Sequence, residues 1–334
     1  MRGSGTPRAK LPTWLEVTGE VAEPESSGLW HAALFHRDTA EFETQACLFA
    51  EDAVRVGAAV LIIGPASSRD RLRRGLGGLN DHVTWADVPE TGANPGRLIS
   101  AISRFAREHP GRATWCVQHI AWPSRPAEEM WEVLRHEALL NMALAGAPVR
   151  MLCPYDIHLP QELISCAEAT HPVICPHGRF QPSPRYDDDF LRLVPAECDR
   201  PLTSPPTGAR VLTYADDLSA IRHLVSLQAS AAGLSPSRAG DLLIAVGELV
   251  ANTLAHAGGP GTLTMWTTDA EIICQVSDPG HITDPLAGRL RPGPAADHGG
   301  RGLWLVHQLC DLVQVRTSKG GTTVRVHMRL AESG

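Results

Sequence analysis

Basic residues are the minority among the charged side chains of this sequence. The chain has 30 Lys and Arg against 37 Asp and Glu, which gives a net charge of −7. A nucleic-acid-binding surface needs a basic excess, so this balance argues against nucleic acid as a partner. The eight cysteines are scattered and include no C-x-x-C pair. This pattern is typical of reduced thiols in a cytoplasmic protein rather than of a disulfide framework.

Long apolar runs are also missing. No run approaches the length of a membrane span, and the first ten residues lack the apolar core of a signal peptide. We therefore expect a cytoplasmic protein with no membrane partner and a disordered tail over residues 1–26. Hydrophobic residues still make up 43% of the 334 positions, which is enough for two domains with sizeable cores.

The first half of the chain alternates between strand-like and helix-like runs. The strand-like runs are Leu29–His36, Ala58–Ile63, His82–Ala86, Ala113–Ile120 and Pro148–Leu152, and the helix-like runs are Thr39–Val56, Pro95–Glu108 and Ala127–Leu144. This βαβα order predicts an α/β domain with a parallel sheet over residues 27–180. Residues 181–207 are rich in Pro and Asp, which predicts a linker.

The second half has a different order. Its helix-like runs are Ala215–Ala232, Ser235–Ala257 and Leu303–Cys310, and its strand-like runs are Thr262–Thr267, Glu271–Val276, Leu312–Thr317 and Thr322–Arg329. The order predicts an α+β sandwich over residues 208–332, with helices on one face of a mixed or antiparallel sheet.

Polar residues recur at helical spacing within Ser235–Ala257. Glu248 and Asn252 are four residues apart, so both lie on one face of the helix, and His256 follows four residues later. A carboxylate can accept a proton, and an amide oxygen is a ligand that Mg²⁺ prefers. The stretch Asp278-Pro-Gly280 then follows a strand-like run, and Gly299-Gly-Arg-Gly302 opens a helix-like run. In this order the motifs indicate an ATP site.

These motifs resemble the GHKL ATPase fold, also called the Bergerat fold, and within it the anti-sigma-factor serine kinases of the switch-protein type. The resemblance covers residues 210–330. It implies that Glu248 is the catalytic base and that Asn252 holds Mg²⁺. The residues that it assigns to ATP binding are Asn252, His256, Asp278, Gly280, Gly300, Arg301, Gly302 and Thr322. It also makes His281–His298 an ATP lid and Asp278 the acceptor for the adenine amino group.

Plainer interpretations remain open for several of these residues. An E-x-x-x-N pattern occurs by chance on amphipathic helices, and Asp-Pro-Gly is a common turn. His256 is also consistent with a surface histidine that ends a helix. Threonine is frequent in strands for its β-propensity, so Thr322, or Thr323 in its place, need not contact adenine.

The sequence lacks the H-E-[LIV]-R-x-P phosphoacceptor motif of sensor histidine kinases. The resemblance therefore implies that the acceptor is a serine or threonine on an anti-anti-sigma (STAS) partner, with a sigma factor as a second partner. The alternatives are a non-catalytic ATP-binding anti-sigma factor that sequesters a sigma factor and, less favoured, a sensor histidine kinase. A homodimer stays open.

The N-terminal half resembles the MEDS family of sensory domains, which has a RecA-like layout. The residues that carry this resemblance are His31–His36, Glu137–Asn141, Leu152–Asp156 and Thr170–Pro172. The half contains no G-x-x-x-x-G-K-[ST] phosphate loop, so we expect a sensory domain that tunes the ATPase half and binds a small-molecule effector.

Four residues of the N-terminal half are candidates for the effector site. His119, Cys153, Tyr155 and Asp156 lie at or just past predicted strand ends, where open α/β sheets bind ligands. The alternative is that Cys153 is core and Asp156 caps a helix. The spacing of Cys166, His171, Cys175 and His177 matches no zinc pattern, so no metal is expected from that set.

Overall fold

A computed structural model gives the structure of the chain, and it describes residues 28–87, 94–176, 178–215, 218–293 and 301–330. The tail predicted over residues 1–26 lies outside the described residues, as do His177 and Gly300. The chain divides into two compact units. The first comprises Met1–Trp85, His109–Pro123 and Gly146–Tyr186, and the second comprises Ala86–Glu108, Ser124–Ala145 and Asp187–Gly334.

The regular elements follow the chain in this order. The strands are β1 (Trp30–His36), β2 (Ala59–Gly64), β3 (Val83–Asp87), β4 (Thr114–Gln118), β5 (Val149–Asp156), β6 (Val173–Pro176), β7 (Gln181–Pro182), β8 (Arg210–Tyr214), β9 (Gly261–Thr267), β10 (Glu271–Asp278), β11 (Leu312–Ser318) and β12 (Gly321–Arg329). The longer helices are α1 (Thr39–Arg55), α2 (Ala66–Leu76), α3 (Leu98–Glu108), α4 (Ala127–Leu144), α5 (Gln161–Thr170), α6 (Leu218–Ala231), α7 (Pro236–His256) and α8 (Arg301–Leu309).

The first unit is built on a mostly parallel sheet with the strand order β3-β2-β4-β5-β1-β6-β7. Strand β1 pairs in parallel with β5 and β6, and β4 pairs in parallel with β2 and β5, whereas β7 is antiparallel to β6. Both β1 and β2 are buried along their whole length, as expected for strands covered on both faces. Phe42 and Phe49 of α1 pack into this core. The predicted parallel α/β fold is confirmed.

The second unit contains an antiparallel sheet with the strand order β11-β12-β10-β9-β8. Helices α6, α7 and α8 pack against this sheet and contribute apolar side chains to a shared core, for example Val225, Val246 and Val306. The predicted α+β sandwich is confirmed. Strand β8 was not predicted, because it is a mostly exposed edge strand and therefore shows no apolar run.

Helices α3 and α4 belong to the second compact unit, although the sequence analysis assigned their residues to the N-terminal domain. The segment that leads into α3 caps the C-terminal end of α8: Asn94 and Arg97 donate hydrogen bonds to the backbone carbonyls of His307 and Cys310 at 2.7–3.2 Å. Cationic and amide donors stabilise a helix end by satisfying its last carbonyls. Residues 187–215, which include most of the predicted linker, are also part of this unit. The domain boundaries 27–180 and 208–332 stay a prediction.

Within the part of the chain that the structure describes, no helix is both long and apolar enough to cross a membrane.

Candidate functional site

Helix α7 carries the predicted catalytic residues. Ser235 caps its N-terminus by accepting a hydrogen bond from the Arg238 amide, and Pro236 occupies the first turn, where no amide proton is needed. Its buried face supplies Leu242, Val246 and other core residues. Glu248 and Asn252 lie beside this buried face of the helix and are half-buried.

A pocket of about 200 Å³ opens beside the C-terminal half of α7. Five of the predicted ATP-binding residues line it: Asn252, His256, Asp278, Gly280 and Thr322. Leucine, valine, isoleucine and alanine side chains make up much of the remaining wall. Pockets for small molecules are commonly lined by apolar side chains, with a few polar groups that fix the orientation of the ligand.

The carboxylate of Asp278 is held from two sides. One oxygen accepts a hydrogen bond from the Gly280 amide at 2.8 Å, and the other accepts one from the Thr253 hydroxyl at 2.7 Å. The hydroxyl of Tyr214 donates in turn to Thr253 at 3.1 Å, and burial raises the pKa of Tyr214. An ionised carboxylate has about four acceptor positions, so Asp278 retains capacity for a ligand donor.

Two glycines allow close backbone approaches next to Asp278. A Cβ on Gly321, which has φ +122°, would lie 2.2 Å from the Asp278 carbonyl oxygen, and a Cβ on Gly280 would lie 3.0 Å from the backbone of Ala257. Only glycine fits such approaches without displacement. Thr322, which pairs with Asp278 across the strands, donates its hydroxyl proton to the Gly280 carbonyl at 2.9 Å.

A second cleft, of about 910 Å³, borders Glu248. Three arginines from separate segments line it: Arg107 at the end of α3, Arg291 in the lid segment and Arg301 at the start of α8. The guanidinium of Arg291 lies 5.9 Å from the ring centre of Trp304, which also lines the cleft. Guanidinium groups bind phosphate oxygens through paired N–H donors, so this cleft suits a polyanion.

The backbone of α8 approaches Glu248 directly. A Cβ on Gly302 would lie 2.7 Å from Glu248 Oε2 and 3.4 Å from both polar atoms of the Asn252 side chain. The first turn of α8 also has amides without helical partners, and the positive end of its dipole favours anions there. Because residue 302 is glycine, the N-terminus of α8 lies close to both Glu248 of the cleft and Asn252 of the pocket.

The described part of the lid, residues 281–293, is held at its start and again at Arg289. At its start, the Ile282 amide donates a hydrogen bond to the Thr317 hydroxyl at 3.2 Å. Arg289 is fully buried and lies 3.4 Å from the carboxylate of Glu132 on α4. Arg316 of β11 also contacts Glu132, at 2.8 Å. Burial lowers the pKa of Arg289 to about 10.

The structure thus assembles most of the predicted site residues in the second unit. Asn252, His256, Asp278, Gly280 and Thr322 share the pocket, Glu248 and Arg301 share the cleft, and Gly302 contacts Glu248. Gly300 and the end of the lid at His298 lie outside the described residues. Their individual roles remain predictions.

Sequence reasoning missed Thr253, Tyr214, Arg107, Arg291 and Trp304. Thr253 adjoins the Glu248–Asn252 motif, so its position was a usable signal for the site. No signal pointed to Arg107, because it reaches the cleft from about 140 residues earlier in the chain.

The candidates of the first unit differ in their surroundings, and their role in an effector site remains a prediction. Tyr155 is fully buried, whereas Asp156 accepts a hydrogen bond from the His158 amide rather than capping α5. His119 is hydrogen-bonded to Ser68 at 2.8 Å, and burial lowers its pKa to about 3, so the ring is neutral at physiological pH. Among the described residues, Cys166 and Cys175 join no group of potential metal ligands.

The comparisons with known proteins match both halves. Residues 30–172 match the family model described as MEDS, the methanogen/methylotroph, DcmR sensory domain, and residues 213–328 match the model described as a histidine kinase-like ATPase domain. The chain therefore carries a MEDS domain followed by a histidine kinase-like ATPase domain, and the second implies nucleotide use. Both resemblances are confirmed at this level. Helices α3 and α4 lie in the MEDS match but in the second compact unit.

One similar solved structure is that of the RsbU and RsbW domains of Rv1364c from Mycobacterium tuberculosis. It is 19% identical, covers 37% of this chain and has a TM-score of 0.28. This chain spans 33% of that structure, and at this TM-score the similarity carries no argument about function. The search of curated proteins found no match.

Proposed function

We propose that the chain is an ATP-dependent serine/threonine protein kinase of the anti-sigma-factor type, tuned by its MEDS domain. Its substrate is a serine or threonine on an anti-anti-sigma (STAS) partner, and a sigma factor is a second partner. The observation that supports this best is the arrangement along one helix. A small pocket and an arginine-lined cleft adjoin α7, and Glu248 stands in the cleft rather than in the pocket.

The pocket fits the adenine ring. Asp278 keeps acceptor capacity for the exocyclic amino group, and the Tyr214–Thr253 hydroxyl chain holds its carboxylate in place. A side chain at Gly280 or Gly321 would collide with Asp278 or with the backbone beside it, so glycine at both positions preserves the place of this carboxylate in the pocket. Thr322 closes the wall opposite α7.

The cleft fits the phosphates. Arg107, Arg291 and Arg301 supply three positive charges, and the first turn of α8 supplies backbone amides. Asn252 lines the pocket one helical turn after Glu248, and its amide oxygen would hold Mg²⁺. When bound, Mg²⁺ would spread the negative charge of the phosphates.

In this proposal Glu248 accepts the proton of the attacking hydroxyl. As that oxygen forms its bond to the γ-phosphorus, the bond from the γ-phosphorus to the bridging oxygen breaks and ADP leaves with the electron pair. The arginines bind the charge that develops on the transferring group and its leaving oxygen. Glycine at position 302 lets the α8 backbone lie close to the Glu248 carboxylate, where a Cβ would come within 2.7 Å of Oε2.

Helices α3 and α4 support the tuning role. Both lie in the MEDS match, yet α3 ends at the cleft through Arg107, and α4 holds the lid segment through Glu132 and Arg289. An effector that binds one arrangement of these helices more tightly than another would favour that arrangement. It would thereby change the nucleotide site.

Asn252→Ala is expected to weaken Mg²⁺-ATP binding at least about tenfold, because a methyl group cannot replace an oxygen ligand. Titration calorimetry on the full chain measures the affinity with Mg²⁺ and with a chelator. The affinity for metal-free ATP should be nearly unchanged, which makes it an internal control. Equal Mg²⁺-ATP affinity in both proteins would remove Asn252 from the metal site.

Asp278→Asn is expected to weaken ATP binding by about 1–3 kcal/mol, or roughly 5- to 150-fold, because a donor replaces an acceptor opposite the adenine amino group. The fold should survive, since asparagine can still accept from Gly280 and donate to Thr253. Asp269→Asn, in the exposed turn of the same strand pair, is the matched control. Fluorescence titrations with ATP and GTP measure the effect. A wild-type protein that binds both equally well would contradict the adenine role.

A further inference from the structure

A buried cluster of potential metal ligands lies in the sheet of the first unit, apart from the nucleotide site. His31 on β1, Cys153 on β5 and His171 between α5 and β6 are each at most 1% exposed. Strand β1 lies between β5 and β6, and Ala33 is the register partner of Cys153. Because side chains alternate along a strand, His31 shares the face of Ala33 and therefore of Cys153.

The distances match those between ligands of one metal ion. Cys153 Sγ lies 3.4 Å from His31 Nε2. Tetrahedral zinc, with bonds of about 2.3 Å to sulfur and 2.0–2.1 Å to nitrogen, places these two atoms about 3.5 Å apart. The rings of His31 and His171 have centroids 4.0 Å apart, and the ligand atoms of all three residues lie within 4.8 Å of one another. Closing the group around an ion needs shifts of only about 1 Å.

A hydrogen bond fixes the ring of His171 in the state that a metal requires. Its Nδ1 lies 2.8 Å from the backbone carbonyl of Ala167, so Nδ1 carries the proton and donates it. The lone pair is then on Nε2. Metal-binding histidines commonly donate their other ring N–H to a backbone carbonyl in this way, which orients the ring and raises its basicity. This observation is independent of the Cys153–His31 spacing.

The donor set selects the class of ion. One thiolate and two imidazoles suit zinc and other transition metals, whereas Mg²⁺ and Ca²⁺ require oxygen ligands. We propose that His31, Cys153 and His171 bind a transition-metal ion of the zinc class within the MEDS domain. Such an ion links β1, β5 and the start of β6, which are distant in sequence, and so contributes to the stability of this sheet.

The test uses the full chain, expressed without an affinity tag that binds metal. Elemental analysis should find zinc bound at about one ion per chain. Replacement by Co²⁺ should give the near-ultraviolet absorption of a cobalt–thiolate bond, which surface histidines cannot produce. Cys153→Ser should abolish this band and weaken zinc binding, measured against a chromophoric chelator, at least about 100-fold.

Cys116→Ser is the matched control, because Cys116 is also a fully buried strand thiol of this sheet but belongs to no ligand group among the described residues. It should keep the cobalt band and the zinc affinity. If Cys153→Ser does not fold, the cobalt spectrum of the wild type decides the question. A wild-type protein that shows no thiolate band, or that binds zinc no more tightly than Cys153→Ser, would show that the cluster is a buried hydrogen-bonded group only.

Discussion

Glu248→Gln is expected to bind Mg²⁺-ATP as the wild type does and to lose phosphotransfer by about 10²–10⁴-fold, the usual effect of removing one general base. The amide preserves the shape of the side chain and its packing against Gly302, but it cannot accept the proton of the attacking hydroxyl. The measurement is transfer of radiolabel from ATP to a STAS partner by the full chain, with binding followed in parallel by calorimetry.

Asp241→Asn is the matched control for that experiment. Asp241 lies on the same helix two turns before Glu248 and pairs with Arg238 at 3.5 Å, away from the cleft. Its amide variant should transfer phosphate at the wild-type rate. If Glu248→Gln also keeps the wild-type rate, the base lies elsewhere. If neither the wild type nor the variant transfers label while both bind ATP, the result favours the alternative of a non-catalytic ATP-binding protein over the kinase.

The core of the site was predictable because its signals are local. Glu248 and Asn252 are one helical turn apart, so a single amphipathic pattern places them together. Asp278 follows the mostly buried apolar run Ile272–Val276 and precedes a Pro-Gly pair, and it is the last residue of strand β10. The motif order then fixes the fold, since few architectures place a polar helix face beside such a strand end.

The arginine cleft and the lid contact were not predictable from the sequence. Arg107 and Glu132 precede Glu248 by more than a hundred residues, and each lies on a helix with an ordinary charged pattern. Nothing local distinguishes an arginine that reaches a cleft from one that faces solvent. The same holds for His31 and Cys153, which become neighbours only through the pairing of β1 with β5.

Helix α2 shows another limit of sequence patterns. It is rich in arginine and buries only Ser68, Leu72 and Leu76, so its apolar periodicity is too sparse to recognise. Strand pairing and neighbouring helices supply the stability that the local sequence does not indicate.

Glu132→Gln is expected to destabilise the second unit by about 3–5 kcal/mol, which would lower its melting temperature by roughly 6–20 °C. Glu132 is 1% exposed and contacts Arg289 and Arg316. Burial alone would raise the pKa of Glu132, but the three guanidinium groups around it outweigh burial and hold the pKa below its ordinary value of 4.5. A group with a lowered folded-state pKa stabilises above its unfolded pKa, so this contribution is lost only as the pH falls below about 4.5.

The charge balance of the cluster makes the prediction sharper. The guanidinium groups of Arg135, Arg289 and Arg316 face the carboxylates of Glu132 and Asp199, so three positive and two negative charges leave an excess of one positive charge. Glu132→Gln raises this excess to two, whereas Arg289→Met reduces it to zero. Arg289→Met should therefore cost less than Glu132→Gln, and the double variant should be more stable than the sum of the single effects predicts.

Thermal unfolding, together with hydrogen exchange of residues 281–293, measures both the stability and the release of the lid segment. Glu108→Gln is the control, because Glu108 forms an exposed pair with Arg104 in the same unit and such pairs contribute at most about 1 kcal/mol. Faster exchange confined to the lid segment would show that α4 holds the lid without supporting the rest of the unit. The opposite outcome is that Glu132→Gln gives the same unfolding curve and the same exchange profile as Glu108→Gln. The buried cluster would then not connect the MEDS-matching helix α4 to the nucleotide site.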